Sequence, residues 1–197
     1  MSEAHIRANE VLRRFEGKTS IMGAEIGVLI GQMSECLLRD PRVKLIMVDS
    51  WAPEEEQTDA YKASEDYHAH LTAAEQLAHK RVAEEVTEFA GTRRTILHAT
   101  SREAAGHVPD RSLDFAFIDG DHSFEGCSED ISLWFPKVKV GGYLCGHDYA
   151  VPSDAAWAVG VRRAVDAAVK RMGWKLETGP NYVWLVKIEA PIKAAKK

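Results

Sequence analysis

Two apolar segments of this chain run into acids and histidines: Phe115-Ala-Phe-Ile-Asp-Gly-Asp-His122 and Gly141-Gly-Tyr-Leu-Cys-Gly-His-Asp148. Each reads as a buried strand that releases ionisable side chains where it stops. Ligands of an open parallel sheet sit outside the carboxyl ends of its strands, so Asp119, Asp121, His122, His147 and Asp148 are placed to converge in one crevice. Desolvating that many ionisable groups is costly and nothing in an ordinary core requires it, so the cluster is either a reactive site or an unusually expensive accident. Plainer roles compete for three of them. Asp121 suits a turn-forming acid in a Gly-Asp loop, and His122 suits a cap or packing residue ahead of the next helix. His147 could support Asp148 by a hydrogen bond, since successive strand residues face opposite sides; both point inward only if the strand ends before them.

A second constellation lies earlier. Glu25-Ile-Gly27-Val-Leu-Ile-Gly31 falls between a strand and a helix, where glycines let backbone approach a ligand and a helix N-terminus offers free N–H groups. Its spacing departs from GxGxxG and lacks the tight triplet that cradles a pyrophosphate. A ligand without phosphates, anchored partly by an acid and partly by backbone, suits it better. Asp49 closes the next strand about 22 residues beyond Gly27, where a carboxylate can accept hydrogen bonds from ribose hydroxyls. The competing reading is a strand-to-helix turn whose glycines only allow tight packing. His98-Ala-Thr-Ser101 opens another helix; Ser101 reads as its N-cap with Glu103 in the first turn, and Thr100 or Ser101 is placed to contact an adenine.

Positioning these groups requires alternating strands and helices. Ile6, Val11, Leu12 and Phe15 predict an N-terminal amphipathic helix within residues 1–17 that covers one sheet face. Strands are predicted over 21–26, 44–48, 94–97, 113–118 and 142–145, and helices from Gly31 to Asp40-Pro41, over 124–134 and over 155–172. Residues 54–90 are rich in Ala, Glu, Gln, Lys and His, and predict two helices or one lid-like insertion beside the site. Trp174–Glu177 and Tyr182–Ile188, separated by Thr178-Gly-Pro-Asn181, predict a closing antiparallel hairpin. The fold class is therefore α/β: a doubly wound, mainly parallel sheet of seven strands in a single domain, with 191–197 as a solvated tail. Trp134 and Trp157 read as core, Trp51 as hydrophobic cover, and His68, His70 and His79 as surface residues.

Composition excludes several classes. A formal net charge of −5 argues against a mainly electrostatic nucleic-acid partner. Three cysteines without CxxC spacing indicate neither a disulfide framework nor a zinc cluster, which fits a reducing, cytoplasmic setting. No run approaches a membrane span and no export signal is recognisable, so neither a membrane nor a nucleic acid is expected as partner. A homo-oligomer built on the N-terminal helix and the closing hairpin is compatible with the pattern.

Together, Glu25-x-Gly27-x-x-x-Gly31, Asp49, Phe117-Ile-Asp-Gly-Asp-His122 and Gly141-Gly-Tyr-Leu-Cys-Gly-His-Asp-Tyr149 resemble the class I S-adenosylmethionine-dependent methyltransferases. The likeness is to the small-molecule group with IDGDH and GGxxxGHDY motifs, and it covers about residues 20 to 190. The resemblance implies a seven-stranded sheet, S-adenosylmethionine as cofactor, and O-methylation of a small-molecule acceptor: a sugar or polyol first, a phenol second. It places Glu25, Gly27 and Gly31 near the methionine moiety, Asp49 with neighbouring Ser50 at the ribose, Thr100 and Ser101 beside adenine, and Asp119, a catalytic and cofactor-binding residue, facing the acceptor side. It further implies a divalent ion, Mg²⁺ or Mn²⁺, on Asp119, His147 and Asp148, and His122 as general base. His147 is a departure, since relatives of that kind use an acid or amide there. Two other classes compete. A metal-dependent hydrolase would use Gly120-Asp-His122 and Gly146-His-Asp148 but leaves Glu25, Gly27 and Asp49 without a task; a non-catalytic adenosyl-ligand binder would bind without turnover.

Overall fold

The computed structural model describes residues 2–190, so the predicted tail at 191–197 lies outside the described residues. One sheet organises the chain. Its strands are β1 (Ile21–Ile26), β2 (Val43–Asp49), β3 (Arg94–His98), β4 (Leu113–Ile118), β5 (Val138–Gly146), β6 (Leu176–Thr178) and β7 (Trp184–Lys187). Their spatial order is β3-β2-β1-β4-β5-β7-β6. The first five are parallel, and β7 runs antiparallel to both β5 and β6. Parallel strands covered on both faces are near-continuously apolar: every residue of β4 is buried, and its one charged member, Asp114, is paired with Lys18 and Lys139.

Helices α1 (Glu3–Leu12), α2 (Gln32–Leu38) and α4 (Ala73–Val86) are joined in sequence by the short α3 (Asp59–Lys62), and α5 (Ser101–His107), α6 (Phe124–Trp134) and α7 (Ala156–Met172) follow. One face of the sheet packs Ala8, Val11, Leu37 and Ala83 of the first group against Leu45, Phe115 and Leu185. The other packs Ala104, Ile131, Trp134 and Val161 against Ala24, Ala116 and Leu144. Among the described residues, no helix is long and apolar enough to cross a membrane.

Two predicted elements come out differently. β5 starts four residues before the expected Gly142, because its first half pairs through a register shift opposite Leu113 and Phe115 and Gly141 takes a φ of +85°. Residues 54–90 form one full helix, α4, preceded by single turns over 54–56, 59–62 and 67–70. The one long helix there starts at a reciprocal capping box of Thr72 and Glu75. Upstream, Ser64 and Asp66 bond nearby backbone groups instead. The ends of this excursion meet, with Glu54 N–H donating to the Leu71 carbonyl at 2.9 Å.

Candidate active site

The strand order reverses direction between β1 and β4, and the crevice outside their carboxyl ends is the natural ligand position. There the backbones lie in contact. Asp119 N–H donates to the Ile26 carbonyl at 2.7 Å, and a Cβ on Gly27, which has φ +88°, would sit 2.0 Å from the Asp119 carbonyl oxygen. Only glycine tolerates both conditions.

A cavity of about 420 Å³ opens beside this point. Gly27, Asp49, Ser50, Thr100 and Ser101 line it, five of the residues predicted to bind cofactor. Asp49 organises its floor: Oδ2 accepts from Val28 and Leu29 N–H, both at 2.8 Å, and Oδ1 accepts from Trp51 N–H at 2.7 Å. Leu29 and Trp51 hold left-handed φ values of +50° and +40°, so these bonds maintain a backbone that side-chain-bearing residues avoid. Trp51 is buried cover, as expected, and its indole N–H donates to the Leu29 carbonyl.

Thr100, rather than Ser101, caps α5, in a capping box with Glu103. Ser101 is thereby free to donate to Asp130 and to accept from the Trp134 indole at 2.8 Å. Asp130 is a cavity residue the motifs did not indicate; burial pushes its carboxyl up to about 7, against the hydrogen bond from Ser101. Its signal was present, since Cys127, Asp130, Ile131 and Trp134 form the buried stripe of α6 and an acid is out of place there.

Three of the residues predicted to bind cofactor, Gly31, Glu25 and Asp119, stand outside the cavity lining. Gly31 begins α2 with φ +77°, and a Cβ there would come within 2.9 Å of Ala83 Cα, so the glycine permits the close packing of α4. Glu25 is buried under the loop, where Ser34 Oγ donates to it at 2.5 Å. Burial pushes its pKa up from 4.5 to about 8 despite that bond, with Asp119 adding to the rise. The folded chain therefore keeps this proton while the unfolded chain loses it, so stability from this group falls as pH climbs from about 4.5 to 8. Glu25→Gln is expected to flatten that dependence and to raise Tm at pH 8.5 by about 2–4 °C per kcal/mol relieved; equal wild-type and variant pH profiles in thermal melts would refute it.

The histidines and acids of the two strand ends do converge. β5 stops at Gly146, His147 N–H reaches the Ile118 carbonyl, and Asp148 turns with φ +60°, so both side chains face inward. His122 Nε2 lies 3.5 Å from Asp119 Oδ1 and 3.4 Å from Asp148 Oδ2, buried and without a hydrogen-bond partner. One ligand atom from each of Asp119, His122 and Asp148 lies within 4.8 Å of the others. His147 stands alongside, with Nδ1 3.0 Å from Asp148 Oδ1 and 3.5 Å from Asp119 Oδ1, and with Nε2 3.4 Å from an Arg7 nitrogen of α1.

Burial disfavours charged imidazoles here, but the surrounding carboxylates outweigh it: His147 is raised to about 9 and His122 well above its ordinary value. Asp119 is held far below the carboxylate range by the same two histidines, against its own burial. Asp121 forms the expected turn, accepting from Ser123 N–H at 2.8 Å, and Ser123 rather than His122 caps α6.

Two expectations need correcting. Trp157 is not core: it is partly exposed with its ring 6.0 Å from that of His122. His68 lines the cavity, and Asp66 beside it bonds His122. Nothing in the polar composition of residues 54–90 singled out Asp66.

The comparisons agree with this geometry. The pattern of the methyltransferase-domain family matches residues 23–149, and the chain belongs to that family, with the fold of the class I S-adenosylmethionine-dependent methyltransferases. Among solved structures, the cofactor-bound protein Rv0187 from MTB superposes with a TM-score of 0.65 at 16% identity, covering 97% of this chain and 82% of its own. The O-methyltransferase from Bacillus cereus in complex with SAH gives 0.60 at 12% identity, over 94% and 80%. The spermidine synthase from Thermotoga maritima gives 0.57 at 14%, over 95% and 62%. A curated relative, an uncharacterized protein of Acanthamoeba polyphaga mimivirus, is 37% identical over 57 residues, which is 29% of this chain and 24% of that protein. The chain thus spans about a quarter of that relative's length.

Proposed function

We propose that this protein transfers a methyl group from S-adenosylmethionine to a hydroxyl of a small molecule, a sugar or polyol before a phenol. The observation that carries the reading is an adenosyl-sized cavity, walled by Gly27, Asp49, Thr100 and Ser101, whose lining residue Asp121 adjoins the largely buried imidazole of His122. A volume near 420 Å³ is in the range of small-ligand pockets. When bound, the cofactor contributes a methyl group on a sulfonium, open to in-line attack.

The chain's own residues do the rest. Gly27 and Asp49 fix the loop against which the cofactor lies, and the His122 side orients the acceptor oxygen, since positioning is the larger part of such a reaction. His122 Nε2 takes the hydroxyl proton once it has lost its own, a step that the surrounding carboxylates move to higher pH. The donor set also fits a divalent ion: two carboxylates facing a buried, unpartnered ring nitrogen. Asp119 and Asp148 would hold Mg²⁺ or Mn²⁺, which would acidify a nearby hydroxyl; His147, bonded to both acids, fills the predicted third place less directly than His122 does. That observation favours a second reading in which His122 ligates the ion instead of taking the proton. The cysteines at 36, 127 and 145 are free, in keeping with a reducing, cytoplasmic setting.

Calorimetric titration with S-adenosylmethionine and S-adenosylhomocysteine, with chelator and then with Mg²⁺ or Mn²⁺, tests the proposal. Micromolar binding of both is expected, and heat on ion addition that disappears in Asp119→Ala supports the ion site. No binding under any condition would sink the methyl-transfer reading.

A further inference from the structure

Residues 54–71 leave the sheet after β2 and carry one buried acid into the site. Asp66 Oδ2 accepts a 2.5 Å hydrogen bond from His122 Nδ1. Its own position is fixed several times over. Ser64 Oγ accepts Asp66 N–H at 3.3 Å, Oδ1 accepts from His68 N–H and faces His68 Nδ1, both at 2.9 Å, and Tyr61 Oη donates to Oδ2 at 3.3 Å. A further tether lies one residue away, where Thr58 Oγ1 donates to Asp121 Oδ2 at 3.4 Å. A carboxylate at one ring nitrogen keeps a proton there and sets the orientation of the ring. At His122 that leaves Nε2 aimed at Asp119 and Asp148.

We propose that Asp66 is a positioning residue that makes closure of residues 54–71 and alignment of His122 a single state. The imidazole holds the segment shut, and the segment holds the imidazole in the ring orientation and tautomer that direct Nε2 into the site. The coupling is reciprocal, as any equilibrium linkage must be. Its value to the reaction rests on the methyl-transfer reading, and it serves His122 equally as proton acceptor or as ion ligand.

Hydrogen–deuterium exchange on the ligand-free protein tests it, with wild type, Asp66→Asn, Asp66→Ala, His122→Ala and the double Ala variant side by side. Removing the imidazole is expected to speed exchange of the 59–71 amides about tenfold while β1 and β4 stay protected. In the double variant, loss of His122 adds nothing to Asp66→Ala, because the interaction is already gone. Imidazole nitrogen NMR supplies a readout that general loosening of the segment would not move: His122 carries a slowly exchanging proton on Nδ1, whose resonance shifts in Asp66→Asn. Unchanged exchange in His122→Ala, or a wild-type ring protonated at Nε2 alone, would overturn the proposal. Since no ligand is added, failure of S-adenosylhomocysteine to bind would refute the methyl-transfer reading and leave this test standing.

Discussion

Asp49→Ala is expected to weaken S-adenosylhomocysteine binding by about 100-fold or more, measured by calorimetry. The carboxylate accepts three backbone N–H bonds that together fix residues 28–29 and 51. Hydrogen bonds to a charged group are worth about 1.5–3 kcal/mol each, and losing even part of that lets Leu29 and Trp51 leave their left-handed conformations. The cavity then loses its floor and, on the proposed function, its acceptor for ribose hydroxyls. Asp49→Asn separates the two contributions. It keeps one carbonyl acceptor but turns an NH₂ group toward an amide N–H, so an intermediate loss is expected. Wild-type affinity in Asp49→Ala would show that the cofactor lies elsewhere.

The second large effect concerns turnover. Removing a general base costs about 10²–10⁴-fold in rate, so His122→Ala is expected to lower methyl transfer by that factor once a screen supplies an acceptor. Binding of S-adenosylhomocysteine should stay near wild type, because His122 is not among the residues that line the cavity. A Mn²⁺ titration of the same variant separates the two uses of Nε2: unchanged ion affinity with lost turnover identifies the proton acceptor, and lost ion affinity identifies a ligand. A variant that transfers methyl at the wild-type rate would remove His122 from the chemistry altogether.

Much of this architecture was legible in the chain because the strands are apolar runs with abrupt ends. β1 and β4 have the predicted limits, and Asp119 and Asp121, which follow β4, lie where a parallel sheet must put them. Asp49 was legible from its offset, although its bonds to the glycine loop were not, since they depend on how that loop folds back over β2. Gly31 illustrates a different limit. Its spacing from Gly27 suggested a ligand, but what requires glycine is the backbone of a helix some fifty residues away, and no local pattern encodes which helix will dock there. Asp66 was invisible for the related reason that its partner, His122, is distant in sequence, and one acid among many in a polar stretch carries no signal. The cap at Thr100 could have been found: Glu103 is the third residue after it, the spacing of a capping box.

The excursion between Glu54 and Leu71, whose two ends are joined by a backbone hydrogen bond, bears on how such a site can diversify. A loop with neighbouring ends changes length at little cost in closure entropy, and α4 behind it is anchored independently by its capping box and its close approach to Gly31. Residues 54–71 are accordingly a replaceable cassette: a graft from another protein can rebuild the outer wall of the pocket while the strand ends stay where they are. What any graft has to bring with it is a carboxylate at the place of Asp66.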